Sequence, residues 1–535
     1  MSRAQDSGHS GTGPPWWHGA VIYQLYVRSW RDTNDDGYGD LRGIIERLDH
    51  LSWLGVDAVW LSPTMPSPDE DWGYDVSDYT GVHPELGTLA DLDELIAEAG
   101  RRGLRVLLDL VPNHTSSAHP WFVDAASSRD AAHRGYYVWA DPGPDGGLPN
   151  NWLDFTGRPA WQWHDSGQYY LHNFLAGQPD LNWWEPEVHR EFRDILEFWF
   201  ERGVAGFRID VANGLYQDAE LRDNPPATSG NPLEGSFGLQ TVYNLNRPEV
   251  HSVYRDWRKI AESYSPERLL LGETWVAEPG ELASYYGDHD ELQLGFNFPF
   301  AFAAAPLTES GPARLAVIVE QTLAALPPGA CPVWMASNHD LGRFPSRWCG
   351  GDEHKIRLAL LVLATLPGTA VLYYGDEIGM TDVDVPVALR RDNATLDVAQ
   401  GASRDRARTP MPWDSSPGGG FTGPGVTPWL PMADHPVRTV AGQRADPDST
   451  LWLCRRLLAI RRAELGGGLA EFENLPAPEG QWVYRAGSLV VAANFTGRPA
   501  DLPAAAGEVL LSTSGASSPP GVLPPWAGVI TRLGR

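Results

Sequence analysis

"LRVLLDLVPNHT", residues 104–115, is apolar for most of its length and then ends in Asn113 and His114. A strand with one wet face alternates polar and apolar residues. One that is apolar throughout is buried on both faces, as in a parallel sheet covered by helices. The stretch before it, "LADLDELIAEAGRRG" (89–103), carries apolar residues at helical spacing. Working outward, "AVIYQLYV" (20–27) leads into the amphipathic "LRGIIERLDHLSWLG" (41–55), and "VDAVWLSP" (56–63) follows. The rhythm resumes at "VAGFRIDV" (204–211), "RLLLGETWV" (268–276), "LQLGFNFPF" (292–300), "CPVWMASNHD" (331–340) and "GTAVLYYGDEIG" (368–379). Eight such strands, each followed by a helix, predict an α/β chain built as a (β/α)8 TIM barrel. A doubly wound sheet would place a Gly-rich phosphate turn after its first strand, and none stands there.

Two segments break the rhythm. Residues 116–185 are rich in Trp, Tyr, Gly, Pro and Asp without a clear period, which reads as a subdomain inserted after the third strand. From about residue 460 the short runs "WVYRAG", "SLVVAANF", "GEVLLST" and "AGVITRLG" are separated by turn signals and predict a C-terminal antiparallel β-sandwich over 460–535. The barrel then occupies 16–115 and 186–459, and the small, polar residues 1–15 read as a disordered leader.

A formal net charge of −28 over 535 residues argues against nucleic acid as a partner and suits a neutral substrate. Three cysteines make no disulfide framework, and no Cys/His cluster points to zinc. The N-terminus lacks a signal peptide's apolar segment and no run is long enough to span a membrane, so a cytoplasmic monomer or homodimer without membrane attachment is expected.

In such barrels function gathers at the C-terminal ends of the strands. Polar residues end these runs: Asp109, Asn113 and His114; Arg208 and Asp210; Glu273; His339 and Asp340. One acid at a strand end is ordinarily a cap or an ion pair. Acids on four strands, with Arg and His beside them, suit glycoside cleavage, where one carboxylate attacks the anomeric carbon and a protonated one donates to the leaving oxygen.

The segments "DLVPNH" (109–114), "GFRIDV" (206–211), "LLGETW" (270–275) and "SNHD" (337–340) closely resemble the four signature regions of the α-amylase superfamily, glycoside hydrolase family 13. "QPDLNW" (178–183) and "RDRARTPMPWD" (404–414) are similar to its α-glucosidase and oligo-1,6-glucosidase branch. The resemblance covers roughly residues 16–535. It implies that Asp210 is the nucleophile, Glu273 the general acid/base and Asp340 the third carboxylate, holding the sugar's 2- and 3-hydroxyls. Arg208 would keep Asp210 ionised, and His114 and His339 would bond hydroxyls of the glucose being cleaved. In "DWGY" (71–74), Tyr74 would stack on that glucose, while Asp71 pairs with Arg404, or with the nearby Arg408, to seal the pocket. Phe155, Phe174 and Gln178 fall where the branch places contacts from its insertion, although core packing accounts equally for the two phenylalanines. Trp139, Trp152, Trp161 and Trp163 are candidates for the rim.

"RDTNDDGYGD" (31–40) resembles the branch's calcium loop, which implies a structural Ca2+ held by Asp32, Asn34, Asp36, Asp40 and the Tyr38 carbonyl, with magnesium as an alternative occupant. The Glu that closes an EF-hand is missing, since the twelfth position from Asp32 is Gly43. No organic cofactor is implied. Two positions depart from a single pattern: Val211 resembles members that open α-1,6 bonds, whereas Ala212 and Gly214 look like relatives acting on α-1,4 chains, and Pro412 stands where Gln is usual. The expected function is a retaining exo-α-glucosidase acting on maltose and short α-glucosides, small oligosaccharides or disaccharides being its partners. Isomaltose-type hydrolysis, and transfer or isomerisation through the same glucosyl-enzyme, are the alternatives. Retention predicts that the carboxyl groups of Asp210 and Glu273 lie about 5–5.5 Å apart.

Overall fold

The computed structural model describes residues 13–228, 235–393, 403–433, 438–501, 507–515 and 521–533. Residues 1–12, most of the expected leader, lie outside it. Eight parallel strands form one sheet: β1 (Val21–Leu25), β2 (Ala58–Leu61), β3 (Arg105–Leu110), β4 (Gly206–Ile209), β5 (Leu269–Gly272), β6 (Leu294–Gly295), β7 (Val333–Met335) and β8 (Thr369–Tyr373). Their order is β6-β5-β4-β3-β2-β1-β8-β7, a barrel closed everywhere except between β6 and β7. All eight coincide with the runs expected from sequence.

The two-residue period of a strand sorts each run into two cores. Ile22, Ala58, Leu107, Leu269, Leu271, Val333, Met335 and Val371 pack together inside the barrel. Val21, Tyr23, Val106, Leu108, Phe207, Ile209 and Leu270 pack in the layer between the barrel and its helices. Asp109 continues the inward series of Leu107, Glu273 that of Leu269 and Leu271, and Arg208 pairs in register with both Asp109 and Leu271. Asp109, Arg208 and Glu273 are thus carried to the inner rim by the same alternation that buries the apolar residues.

Helices start where the chain supplies caps. The Asp40 side chain accepts from Gly43 N ahead of the helix Leu41–Leu54, and Thr88 with Asp91 closes a capping box on Leu89–Arg101. The inserted segment forms a three-stranded antiparallel sheet of Trp139–Ala140, Gln168–Leu171 and Trp161–His164. A small core of its own includes Trp152, Trp161 and Leu171.

The C-terminal region differs from expectation in start and form. A helix, Thr450–Leu465, runs through residue 460, so the sheet begins at Phe472. It has five antiparallel strands, with a two-stranded ribbon, Ala500–Asp501 with Val522–Leu523, beside it. A full opposing sheet is unnecessary, because Trp482, Tyr484, Val491 and Ile530 pack into the large barrel–helix core and Tyr484 Oη meets Thr365 Oγ1 at 2.5 Å. Only the remaining patch of Val483, Val490, Ala492 and Val529 needs the ribbon's Leu523 over it. Among the described residues no helix is long and apolar enough to cross a membrane.

Candidate active site

Arg208, fully buried, is the centre of the site. Its Nη1 lies 2.8 Å from Asp109 Oδ1 and 2.6 Å from Asp210 Oδ1, and its Nη2 lies 2.7 Å from Glu273 Oε1. The two terminal nitrogens of one guanidinium thus hold a carboxylate oxygen each from Asp210 and Glu273. The other oxygen of Glu273 accepts from the backbone N–H of Val211, the residue after Asp210, at 3.1 Å. Val211 reaches this position at a φ of 43°, a left-handed conformation that strains a β-branched residue.

Arg208 sits beside Asp210 as expected, but three carboxylates share the one cation. Burial pushes Asp109 up to about 6, against the pull of Arg208. Burial likewise drives Asp210 well above the ordinary carboxylate range, with Arg208 pulling it back and Glu273 and Asp109 adding repulsion. Burial and three acids on one cation both favour the protonated form of a carboxyl in this cluster, which a general acid requires.

Asp340 is in the opposite state. Burial alone would raise its carboxyl, but Arg404 at 3.1 Å and Arg408 at 3.0 Å hold it well below the usual range. His339, 3.1 Å away, is kept neutral by burial, so the arginines carry this effect.

Asp71, Tyr74, His114, Phe155, Phe174, Asp210, Val211, Glu273, Trp275, Asp340 and Arg404 line one pocket. Its far end is closed by Arg404, which pairs with Asp71 at 2.5 Å and with Asp392 at 2.7 Å. Arg408 takes the other role, donating to the His339 carbonyl oxygen and to Asp340. Phe174 lies against His114 with ring centres 5.1 Å apart, and Phe155 against Phe174 at 5.3 Å, so both phenylalanines face the pocket rather than a core.

His339, Arg208 and Gln178 stand behind the wall. The His339 ring stacks on Tyr74 at 5.2 Å and its Nε2 lies 2.6 Å from Tyr74 Oη, while Nδ1 meets Gln24 Nε2 at 2.8 Å. Gln178 Nε2 donates to Asp71 Oδ2 at 3.2 Å and lies 3.1 Å from His114 Nε2. Burial lowers His114 to about 4, so it is a neutral ring at working pH.

None of the four tryptophans proposed for the rim lines this pocket: Trp152 and Trp161 fill the insertion's own core, and Trp163 is exposed elsewhere. Trp275 lines it instead, with its ring stacked on Phe298 at 4.0 Å. Three residues went unassigned in the sequence. Asp109 had only its place at a strand end as a signal; Trp275 sits inside a recognised motif; Asp392 lies in an aperiodic loop and carries no signal at all. Pro412 is buried outside the pocket wall, its carbonyl taken by Val440 N–H, so it does not shape the pocket directly.

The 31–40 loop is folded by its own acceptors. Asn34 N donates to Asp32 Oδ1, Asp36 N to Asn34 Oδ1 and Tyr38 N to Asp36 Oδ1, at 3.1, 3.2 and 2.8 Å. Asp32 further accepts from Asp35 N, Gly37 N and Thr422 Oγ1, and Asp40 caps the following helix and takes both donors of Thr33. The set is all oxygen, as a hard cation needs. Asn34 and Asp36 keep acceptor capacity on the exposed side, whereas Asp32 is already filled by N–H and O–H donors. Among the described residues the acids of this loop do not converge as closely as Asp69, His83 and Glu85, whose ligand atoms lie within 4.8 Å of one another. That second group is organised by Arg28, paired with Asp69 at 2.7 Å and Glu85 at 2.8 Å, which leaves no place for a second cation.

Comparison with known proteins agrees with this geometry. The family model "Alpha amylase, catalytic domain" matches residues 24–466, and a domain of unknown function, DUF3459, matches 467–530. A probable alpha-glucosidase of Rhizobium meliloti (strain 1021) is 44% identical over 476 residues, covering 85% of each chain. The oligo-1,6-glucosidase of Parageobacillus thermoglucosidasius is 38% identical over 486 residues, covering 84% of each. Among solved structures, an alpha-glucosyl transfer enzyme superposes with a TM-score of 0.88 at 36% identity, covering 97% of this chain and 100% of that one. The trehalulose synthase of Pseudomonas mesoacidophila MX-45 gives 0.87 at 30% identity, covering 97% and 100%.

Proposed function

The chain belongs to the family of the α-amylase catalytic domain and is a glycoside hydrolase, an α-glucosidase, and on that premise we propose a retaining, exo-acting enzyme that releases α-glucose from maltose and short α-1,4-glucosides. The observation that carries it is the single guanidinium of Arg208 holding Asp210 and Glu273, above a pocket whose far end Arg404 and Asp71 close. Retaining chemistry takes its proton from Glu273 as the acid and its nucleophile from Asp210 as the carboxylate. Glu273 gives that proton to the glycosidic oxygen while an oxygen of Asp210 attacks the anomeric carbon from the opposite face, forming a β-glucosyl ester. Glu273, now ionised, takes a proton from water, which displaces Asp210 and restores the α-anomer. Asp340, ionised between two arginines, accepts hydrogen bonds from the 2- and 3-hydroxyls, and the neutral His114 bonds a further hydroxyl. The closed end admits one ring, so attack comes from the non-reducing end.

The substrate assignment is tested by a product time course on maltose, isomaltose, sucrose and maltotriose, with the anomer of released glucose followed by NMR. The expected result is α-glucose from maltose and maltotriose. Faster release from isomaltose would assign Val211, on the pocket wall, to α-1,6 specificity. Rearranged or longer sugars without free glucose would place the chain with the transfer and isomerising enzymes among its structural relatives.

We also propose that the 31–40 loop takes a calcium ion through the side-chain oxygens of Asp32, Asn34, Asp36 and Asp40 and the Tyr38 carbonyl, clamping the loop ahead of the first barrel helix. The all-oxygen set supports this reading, and Asp32 would exchange some of its N–H partners for the ion. A ligand that binds only the folded state at a hundred times its Kd adds about 2.7 kcal/mol. Calcium should therefore raise the thermal midpoint by a few degrees over the protein in EGTA, and Asp36→Ala should erase the difference. Equal midpoints with and without calcium would make the loop a polar turn.

A further inference from the structure

Away from the catalytic pocket, a groove of about 560 Å³ runs between the inserted subdomain and the loop that follows β4. Trp184 stands on its wall with 47% of its surface exposed. The ring is fixed rather than loose: its N–H donates to the Gln217 carbonyl at 3.0 Å and it stands perpendicular to the Tyr216 ring with centres 5.0 Å apart. A fixed indole with about half its surface open is one on which an apolar ring face can lie.

The charges around the groove are engaged internally. Arg134 donates to the Ala125 carbonyl, Ser166 Oγ and Gln168 Oε1, and its guanidinium covers the Trp139 ring at 3.4 Å. Arg129 donates to the carbonyls of Ser166 and Gly167, and Asp218 is bound by Arg222. An ionic ligand would have to break these pairs. Gln217, 2% exposed, is turned inward, donating to Asp180 at 3.3 Å and to the Gly214 carbonyl at 3.2 Å, so the groove wall offers a neutral ligand no competing charge.

We propose that this groove is a second carbohydrate-binding site, separate from the catalytic pocket, which holds a neutral gluco-oligosaccharide with one ring face on Trp184. Groove and pocket share no lining residue, yet one short loop joins them, with Val211 on the pocket wall and Gln217 on the groove.

The test is a titration of the Glu273→Gln protein, labelled with 5-fluorotryptophan, with maltotriose under 19F NMR. Resonances are assigned through W184F and W275F. The Trp184 resonance should shift saturably at millimolar sugar, and in equilibrium dialysis W184A should bind maltotriose at the groove about tenfold more weakly than its parent, a loss of about 1.4 kcal/mol. The Trp275 resonance reports the catalytic pocket independently and also shows that W184A remains folded. A static Trp184 resonance beside a moving Trp275 would overturn the groove and leave the catalytic reading standing. The reverse would overturn the catalytic reading and leave the groove.

Discussion

Replacing Asp210 with Asn is expected to lower turnover of maltose on the order of 10⁴-fold or more, because no other group in the pocket stands where a covalent bond to the anomeric carbon can form. Asn keeps the shape but has neither the charge nor the nucleophilic oxygen, and it removes one of the three acids that share Arg208. Fold stability should change little by comparison, since Asp109 and Glu273 still neutralise the guanidinium, and a thermal melt checks that the protein remains folded. The smaller Asp210→Ala leaves room for an external nucleophile. With an activated α-glucoside and azide, a single displacement from the face vacated by the carboxylate should yield β-glucosyl azide. Formation of the α-azide, or near-normal turnover by D210N, would remove Asp210 from the role.

Glu273→Gln should separate substrates by their leaving groups. Maltose needs a proton on its departing oxygen, so its turnover should fall by about 10²–10⁴-fold. A dinitrophenyl α-glucoside leaves without help, so the first step survives, while the second slows for want of a base. A burst of dinitrophenol followed by a slow steady state is the expected trace, and azide should speed the second phase. Equal losses on both substrates would mean that Glu273 supports the pocket rather than transferring protons. Its bond to Val211 N–H makes that alternative worth excluding, because Gln retains an acceptor for this N–H and so preserves the wall while removing the acid.

Both variants test residues that were legible before any coordinates, and the reason is local. A buried parallel strand must be apolar along its length, and its two-residue period dictates which side chains face the barrel interior. Leu107 and Asp109, Arg208 and Asp210, and Leu271 and Glu273 therefore declare their side from the sequence. The same one-dimensional rule located all eight strands. Relations between distant segments carry no such signature. Asp392 completes the closed end by meeting Arg404 from an aperiodic loop, and Trp275 rather than the insertion's tryptophans lines the pocket. Arg404 and Arg408 stand four residues apart in one motif, and only the packing of their loop brings Arg404 to both Asp71 and Asp340 and leaves Arg408 on Asp340 alone. The protonation of the cluster was also hidden, for the same reason. That one guanidinium is shared among acids from β3, β4 and β5 follows from strand register and burial, which fix the field at each carboxyl only when the barrel closes.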